Sequence, residues 1–216
     1  MQTDHDVRLV PTLTHGRVIV RRAHGAARGV LVGFHGYMEN ADVQMERLEA
    51  IPVSAEWTLV AIQALHRFYR GRTNEVVASW MTSQDREAAI ADNVEYVNGA
   101  MDVAPPDPPA KIVYAGFSQG VAMAFRAAVR GRHAAAGVIA VGGDVPPELL
   151  QDPRATFPFV LLVRGLRDDW LTAEQFRADI NALARRSTRV RAHEFDGGHE
   201  WNEEVSVAAA DFLQSV

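Results

Sequence analysis

Five short apolar runs, residues 29–34, 57–62, 112–115, 136–141 and 159–163, constrain the fold more than any other feature of this sequence. They carry almost no polar residue and do not alternate. A strand buried on one face alternates apolar with polar side chains, whereas one sandwiched between two helical layers does not. Between the runs the spacing turns helical. Met45 and Leu48 follow Ala41, and Ile90, Val94, Val97 and Met101 follow Asp85. Small residues (Ala122, Ala124, Ala127, Ala128) follow Gln119, Phe176, Ile180 and Leu183 share a face, and Val205, Ala208, Ala209, Phe212 and Val216 close the chain. Strand and helix therefore alternate, which predicts an α/β fold with a mostly parallel central sheet and helices on both faces.

Smaller elements complete this expectation. Residues 7–10 and 17–22 read as an opening strand pair around Pro11 and Gly16, and 189–195 as the last strand. Thr172 with Gln175 forms a capping box, and Thr82 or Ser83 is the expected cap of the helix that starts near Asp85. Residues 63–80 are rich in aromatic and basic side chains without periodicity and read as a long surface loop. The stretch from Ala104 to Pro109 reads as a stiff loop, because no second core is apparent.

With 216 residues the chain suits one sizeable core, so residues 1–216 are expected to form a single domain. A net charge of −5 offers no electrostatic reason to bind nucleic acid or an anionic membrane, and neither is expected as a partner. There is no cysteine, which excludes a thiol nucleophile and thiolate metal sites. The polar, acidic opening Met1–Asp6 lacks the basic start and apolar centre of a signal peptide, and no apolar run reaches about 18 residues, so a cytoplasmic location is expected. The sequence does not address oligomeric state.

Gly116-Phe117-Ser118-Gln119-Gly120 lies between the third run and the helix after it. A G-x-S-x-G segment in that context places serine on a sharp strand-to-helix turn, with its hydroxyl exposed near the free N–H groups of the helix start. Serine needs a base to remove its proton, and the base needs a carboxylate to set its tautomer. His199, in the glycine-bounded loop after the last strand, is the expected base. His35 and His66 are expected as neighbours of the site, with His35 holding its loop by hydrogen bonding; His5, His15, His24, His133 and His193 read as structural. For the acid, Asp168 is favoured by position, with Asp144, Asp169 and Asp196 as alternatives.

Gly33-Phe34-His35-Gly36-Tyr37, Ser79-Trp80, Gly116-Phe117-Ser118-Gln119-Gly120, Gly165-Leu166-Arg167-Asp168 and Gly197-Gly198-His199-Glu200 together resemble the phospholipase/carboxylesterase group of α/β-hydrolases, which includes acyl-protein thioesterases and compact esterases. The resemblance implies Ser118 as nucleophile, Asp168 as orienting acid, His199 as base, and the backbone N–H groups of Gln119 and Tyr37 as the oxyanion hole. It also implies hydrolysis of esters, or thioesters, through an acyl-enzyme. Transfer of the acyl group to another acceptor, or ligand binding without catalysis, are the alternatives. Two departures stand out. Val121 replaces a further glycine of many relatives, and the H-G-x-G-D loop reads His35-Gly36-Tyr37-Met38-Glu39, which keeps Met38 open as the second oxyanion donor.

Leu65, Phe68, Trp80, Met81 and Trp170, on loops at the expected site edge, are candidates to line an acyl or alcohol pocket, as are Tyr69 and Trp201. The connections after the sixth and seventh strands are too short for a large lid, so small to medium soluble esters are expected as substrates. No metal or organic cofactor is expected: the chemistry requires none, and no His, Asp and Glu fall at metal-ligand spacing.

Overall fold

The computed structural model describes residues 6–105 and 111–216. Its elements in chain order are β1 (Arg17–Arg21), β2 (Val30–Phe34), α1 (Ala41–Glu49), β3 (Thr58–Gln63), β4 (His66–Tyr69), β5 (Val76–Ser79), α2 (Arg86–Val103), β6 (Ile112–Phe117), α3 (Gln119–Arg130), β7 (Gly137–Val141), α4 (Pro147–Gln151), β8 (Phe159–Gly165), α5 (Ala173–Arg185), β9 (Val190–Phe195) and α6 (Glu203–Leu213). Seven strands form one sheet in the order β1-β3-β2-β6-β7-β8-β9. Every pairing is parallel except that of β1 with β3.

The five apolar runs are the central strands, and their lack of alternation follows from two cores. On one face Val32, Phe34, Tyr114 and Val138 pack with α2, α3 and α5. On the other Leu31, Leu59, Val113, Ile139 and Leu161 pack with α1 and α6. Burying each such side chain contributes about 1.5–3 kcal/mol, so the sheet is held from both sides. The Thr172–Gln175 capping box is present at the start of α5.

Three local expectations are corrected. Residues 7–10 form no strand and are exposed: the run is four residues long and stops at Pro11, which has no N–H for a ladder. Residues 63–80 are not a loop throughout but hold the antiparallel hairpin β4–β5. Every β4 residue is exposed, so no hydrophobic period marked it; the hairpin is closed by the Arg70 N–H to the Glu75 carbonyl and by an Arg70–Glu75 ion pair. Helix α2 begins at Asp85 in the left-handed region without a side-chain cap, while Thr82 Oγ1 instead accepts from the Gln84 N–H. The Ala104–Pro109 expectation falls largely outside the described residues.

Loops at the carboxyl ends of parallel strands carry the residues of interest: His35-Gly36-Tyr37 after β2, Ser118 after β6, Gly142–Asp144 after β7, Asp168 after β8 and His199 after β9. Asp179 on α5 steadies that edge from below, accepting the Val145 N–H at 2.9 Å. Burial pushes its carboxyl up to about 6 despite that hydrogen bond, and the charge of Asp144 adds to the effect. Its folded pKa lies above its unfolded one, so ionising it opposes folding. The penalty is absent below about pH 4, grows as pH rises through 6 and is constant above. Asp179→Asn keeps an acceptor for Val145 and removes the charge. Urea denaturation should show the variant about 1–3 kcal/mol more stable than wild type at pH 8, the gap closing toward pH 4.

Candidate active site

Ser118 sits between β6 and α3 with φ 52° and ψ −121°, a strained conformation worth on the order of 1–3 kcal/mol. Its N–H donates to the Val141 carbonyl at 2.9 Å, tying the bend to β7. Gly120 makes the bend sterically feasible: a Cβ there would lie 2.1 Å from the Phe34 carbonyl oxygen, so α3 meets β2 backbone against backbone. Val121, the departure noted in the sequence, is fully buried. Its bulk is accommodated by Gly143, where an added Cβ would lie 2.7 Å from Val121 Cβ.

Asp168 Oδ2 faces His199 Nδ1 at 2.9 Å, and Asp168 Oδ1 accepts the N–H groups of Trp170 (2.8 Å) and Leu171 (3.0 Å). The buried carboxylate is therefore fixed by backbone on one oxygen and holds imidazole with the other. Asp144 and Asp169 are exposed, and Asp196 pairs with Arg167. Of the four aspartates considered, Asp168 is the one bonded to His199 among the described residues. The imidazole lies between the rings of Phe117 (5.0 Å) and Trp170 (6.2 Å). Gly142, at φ 64°, passes beneath it: an added Cβ would approach His199 Cε1 to 3.1 Å.

The loop after β2 is held by polar contacts in a dry setting. His35 Nδ1 donates to the Gly36 carbonyl at 2.7 Å while Nε2 accepts the Ala64 N–H at 3.0 Å, an arrangement that suits the neutral ring. Burial lowers its pKa in the same direction, against the Gly36 contact. Burial would raise the Glu39 carboxyl, but a bidentate Arg47 (2.6 Å to each oxygen) and the Gly36 N–H hold it below the usual range. Arg47 also stacks on Phe117 at 4.1 Å. Met38 keeps φ at 59°, so it adopts the left-handed backbone without being glycine. Its N–H is committed to the Ala78 carbonyl at 3.1 Å. The N–H groups of Tyr37 and Gln119 donate to no acceptor among the described residues.

A cavity of about 340 Å³ adjoins Ser118 and is lined by Trp80, Met81, Gln119, Ala122, Trp170 and Leu171, with Arg86 and Arg126 also on its wall. Trp80, Met81 and Trp170 thus lie where they were expected, although Trp80 is fully buried and donates its indole N–H to the His35 carbonyl. Leu65 instead lines a groove against residues 10–14, and Phe68 stacks on Tyr37 at 6.1 Å. Neither borders the Ser118 cavity. Phe68 lies on the hairpin and Leu65 just ahead of it, a geometry invisible while residues 63–80 read as a loop. Tyr69 is exposed on the hairpin, His66 lines the grooves beside residues 9–14, and Trp201 donates to Ser206.

Sequence reasoning missed the side-chain duty of Gln119 and the two arginines. Gln119 Oε1 accepts the Trp80 N–H at 3.0 Å and Nε2 donates to the Met81 carbonyl at 3.0 Å, pinning the cavity wall to α3. Arg126 was legible as a charge within the apolar middle of α3, spaced by four residues from Ala122 and by eight from Ser118. Among the described residues no three His, Asp or Glu cluster closely enough to hold a metal ion, and no helix is long and apolar enough to cross a membrane.

The sequence model of a family described as Phospholipase/Carboxylesterase matches residues 15–216. No curated protein matches the sequence. Among solved structures, esterase PE8 is 24% identical with a TM-score of 0.73, over 94% of this chain and 100% of that one. Zea mays acyl-protein thioesterase 2 is 20% identical with a TM-score of 0.74, over 93% and 99%. The Bacillus cereus carboxylesterase is 16% identical with a TM-score of 0.70, over 93% and 94%. At these identities the likeness establishes a shared fold.

The contact under His199 is directly testable. Gly142→Ala adds left-handed strain and forces the imidazole aside by a few tenths of an ångström. Turnover of an activated ester is expected to fall about 100-fold, with the fold retained by circular dichroism.

Proposed function

The chain belongs to the phospholipase/carboxylesterase family of α/β-hydrolases, and from that premise we propose that it is a cytoplasmic, single-domain serine esterase for small to medium soluble substrates. The observation that carries this reading is the buried Asp168–His199 pair, on the same sheet edge as a serine held in a strained elbow.

In the proposed reaction His199 Nε2 takes the Ser118 proton as the hydroxyl oxygen attacks the ester carbonyl. Asp168 keeps Nδ1 protonated and stabilises the imidazolium. The carbonyl electrons move to oxygen, which receives the N–H groups of Gln119 and Tyr37. Each such donor contributes about 2.7–4 kcal/mol in comparable sites. Met38 is set aside in that role because its N–H already has a partner. Collapse of the intermediate breaks the bond to the alcohol, which leaves with the proton from His199. Water, deprotonated by His199, then attacks the acyl-serine, and Ser118 recovers its proton as the acid departs. A thioester would follow the same course with a thiol as leaving group.

A fluorophosphonate probe should label the folded wild type and leave Ser118→Ala unlabelled; an unlabelled wild type would overturn the proposal. In Asp168→Asn the amide presents an N–H to Nδ1 and imposes the wrong tautomer, so kcat should fall by about ten-thousandfold. Asp144→Asn and Asp169→Asn should stay within a few-fold of wild type, and a near-wild-type rate for Asp168→Asn would refute the assignment of the acid.

A further inference from the structure

The wall of the Ser118 cavity is not wholly apolar. Arg126 is 2% exposed, yet lies on the cavity wall. Its Nε and Nη2 both donate to Glu148 Oε1, at 2.8 and 2.7 Å, and Arg86 Nη2 takes Glu148 Oε2 at 3.1 Å. Both oxygens of that carboxylate are thereby occupied. What is left over is Arg126 Nη1, whose partner among the described residues is the thioether sulfur of Met81 at 3.6 Å. A thioether is a weak acceptor for a guanidinium that has been taken out of water. Arg130 contributes further positive charge nearby. These three cations face three carboxylates: Glu148, Glu87, which pairs with Arg86 Nη1 at 3.3 Å, and the exposed Asp144, which makes no hydrogen bond to either cavity arginine. What sets this wall apart is one buried guanidinium nitrogen, Arg126 Nη1, that has no oxygen partner among the described residues.

Placement relative to the nucleophile sets the size of what fits. Ser118, Ala122 and Arg126 recur every four residues, so they share one stripe of α3, and Ala122 leaves the space between them open. Eight residues of helix put the Cα atoms of Ser118 and Arg126 about 12 Å apart, and helical side chains lean back toward the N-terminus. The leaving alcohol must lie toward His199, which gives it a proton. The cavity, whose lining does not include His199, is left for the acyl half.

Resting on the esterase reading, we propose that this cavity selects acyl groups that end in a carboxylate, so that the substrates are hemi-esters of short dicarboxylic acids. The free carboxylate binds Arg126 Nη1 with Arg86 alongside, replacing the weak contact to Met81 by charge-assisted hydrogen bonds. The spacing suits a diacid of about four to six carbons. Hydrolysis breaks the single ester bond, consumes one water and releases the alcohol, the diacid dianion and a proton.

The test compares monoethyl glutarate with ethyl valerate, which has the same acyl length without the charge. A third substrate, the butyryl ester of 3-hydroxypropanoate, carries the carboxylate on the alcohol half. Wild type should favour monoethyl glutarate over ethyl valerate by at least tenfold in kcat/KM, and the advantage should shrink as salt is raised. Arg126→Met should lower kcat/KM for monoethyl glutarate at least tenfold relative to that for ethyl valerate, removing the preference. Arg86→Met, at a partly exposed position, should reduce it several-fold, with the fold checked by circular dichroism. Calorimetry adds a readout independent of turnover: glutarate dianion should bind wild type and not Arg126→Met. Equal rates on glutarate and valerate esters, preference for the alcohol-side carboxylate, or no glutarate binding would each overturn the proposal and leave the esterase reading intact. Glutarate binding without hydrolysis of any ester would instead support the anion site and count against the esterase.

Discussion

The approach of α3 to β2 at Gly120 is the contact on which the rest of the structure depends. With no Cβ in the way, the helix start rests against the Phe34 and His35 carbonyls. Two loops far apart in sequence then share one corner of the sheet edge. One brings Ser118 and the Gln119 N–H, the other the Tyr37 N–H. Close backbone packing of this kind tolerates no added atom, because interiors are already near crystal density.

Around that corner, polar side chains act as fasteners. Gln119 clasps the Ser79–Met81 segment, His35 bridges the Gly36 carbonyl and the Ala64 N–H, and the Glu39–Arg47 pair ties the β2 loop to α1. Arg47 continues to Phe117, whose ring meets His199. Hydrogen bonds in a water-poor setting hold directions firmly, and leaving any of these groups unpaired there would be costly. The site is therefore positioned less by its own residues than by the groups that fix their backbone.

Legibility varied with the kind of physics involved. The central strands could be read because burial on both faces removes alternation, and β6, α3 and the elbow because glycine and serine in that order have few other uses there. Asp168 and His199 were legible by their place after strands. The β4–β5 hairpin was not, since its first strand is fully exposed and its pairing is a long-range property. Residues 7–10 failed in the opposite sense, as local strand character found no neighbour. Leu65 and Phe68 read as pocket candidates because side-chain direction depends on that unseen hairpin.

The sequence by itself determined the alternation of strands and helices, the serine at a strand-to-helix bend, and the chain order of Ser118, Asp168 and His199 after successive strands, since these rest on local periodicity and on residues with few conformational alternatives. Tertiary structure alone decided which aspartate meets His199, that the Met38 N–H is already spent on Ala78, that Gly143 makes room for Val121, and that Arg126 faces the cavity beside Ser118. Each of those is a distance between segments remote in the chain, and only packing around a common sheet sets such distances.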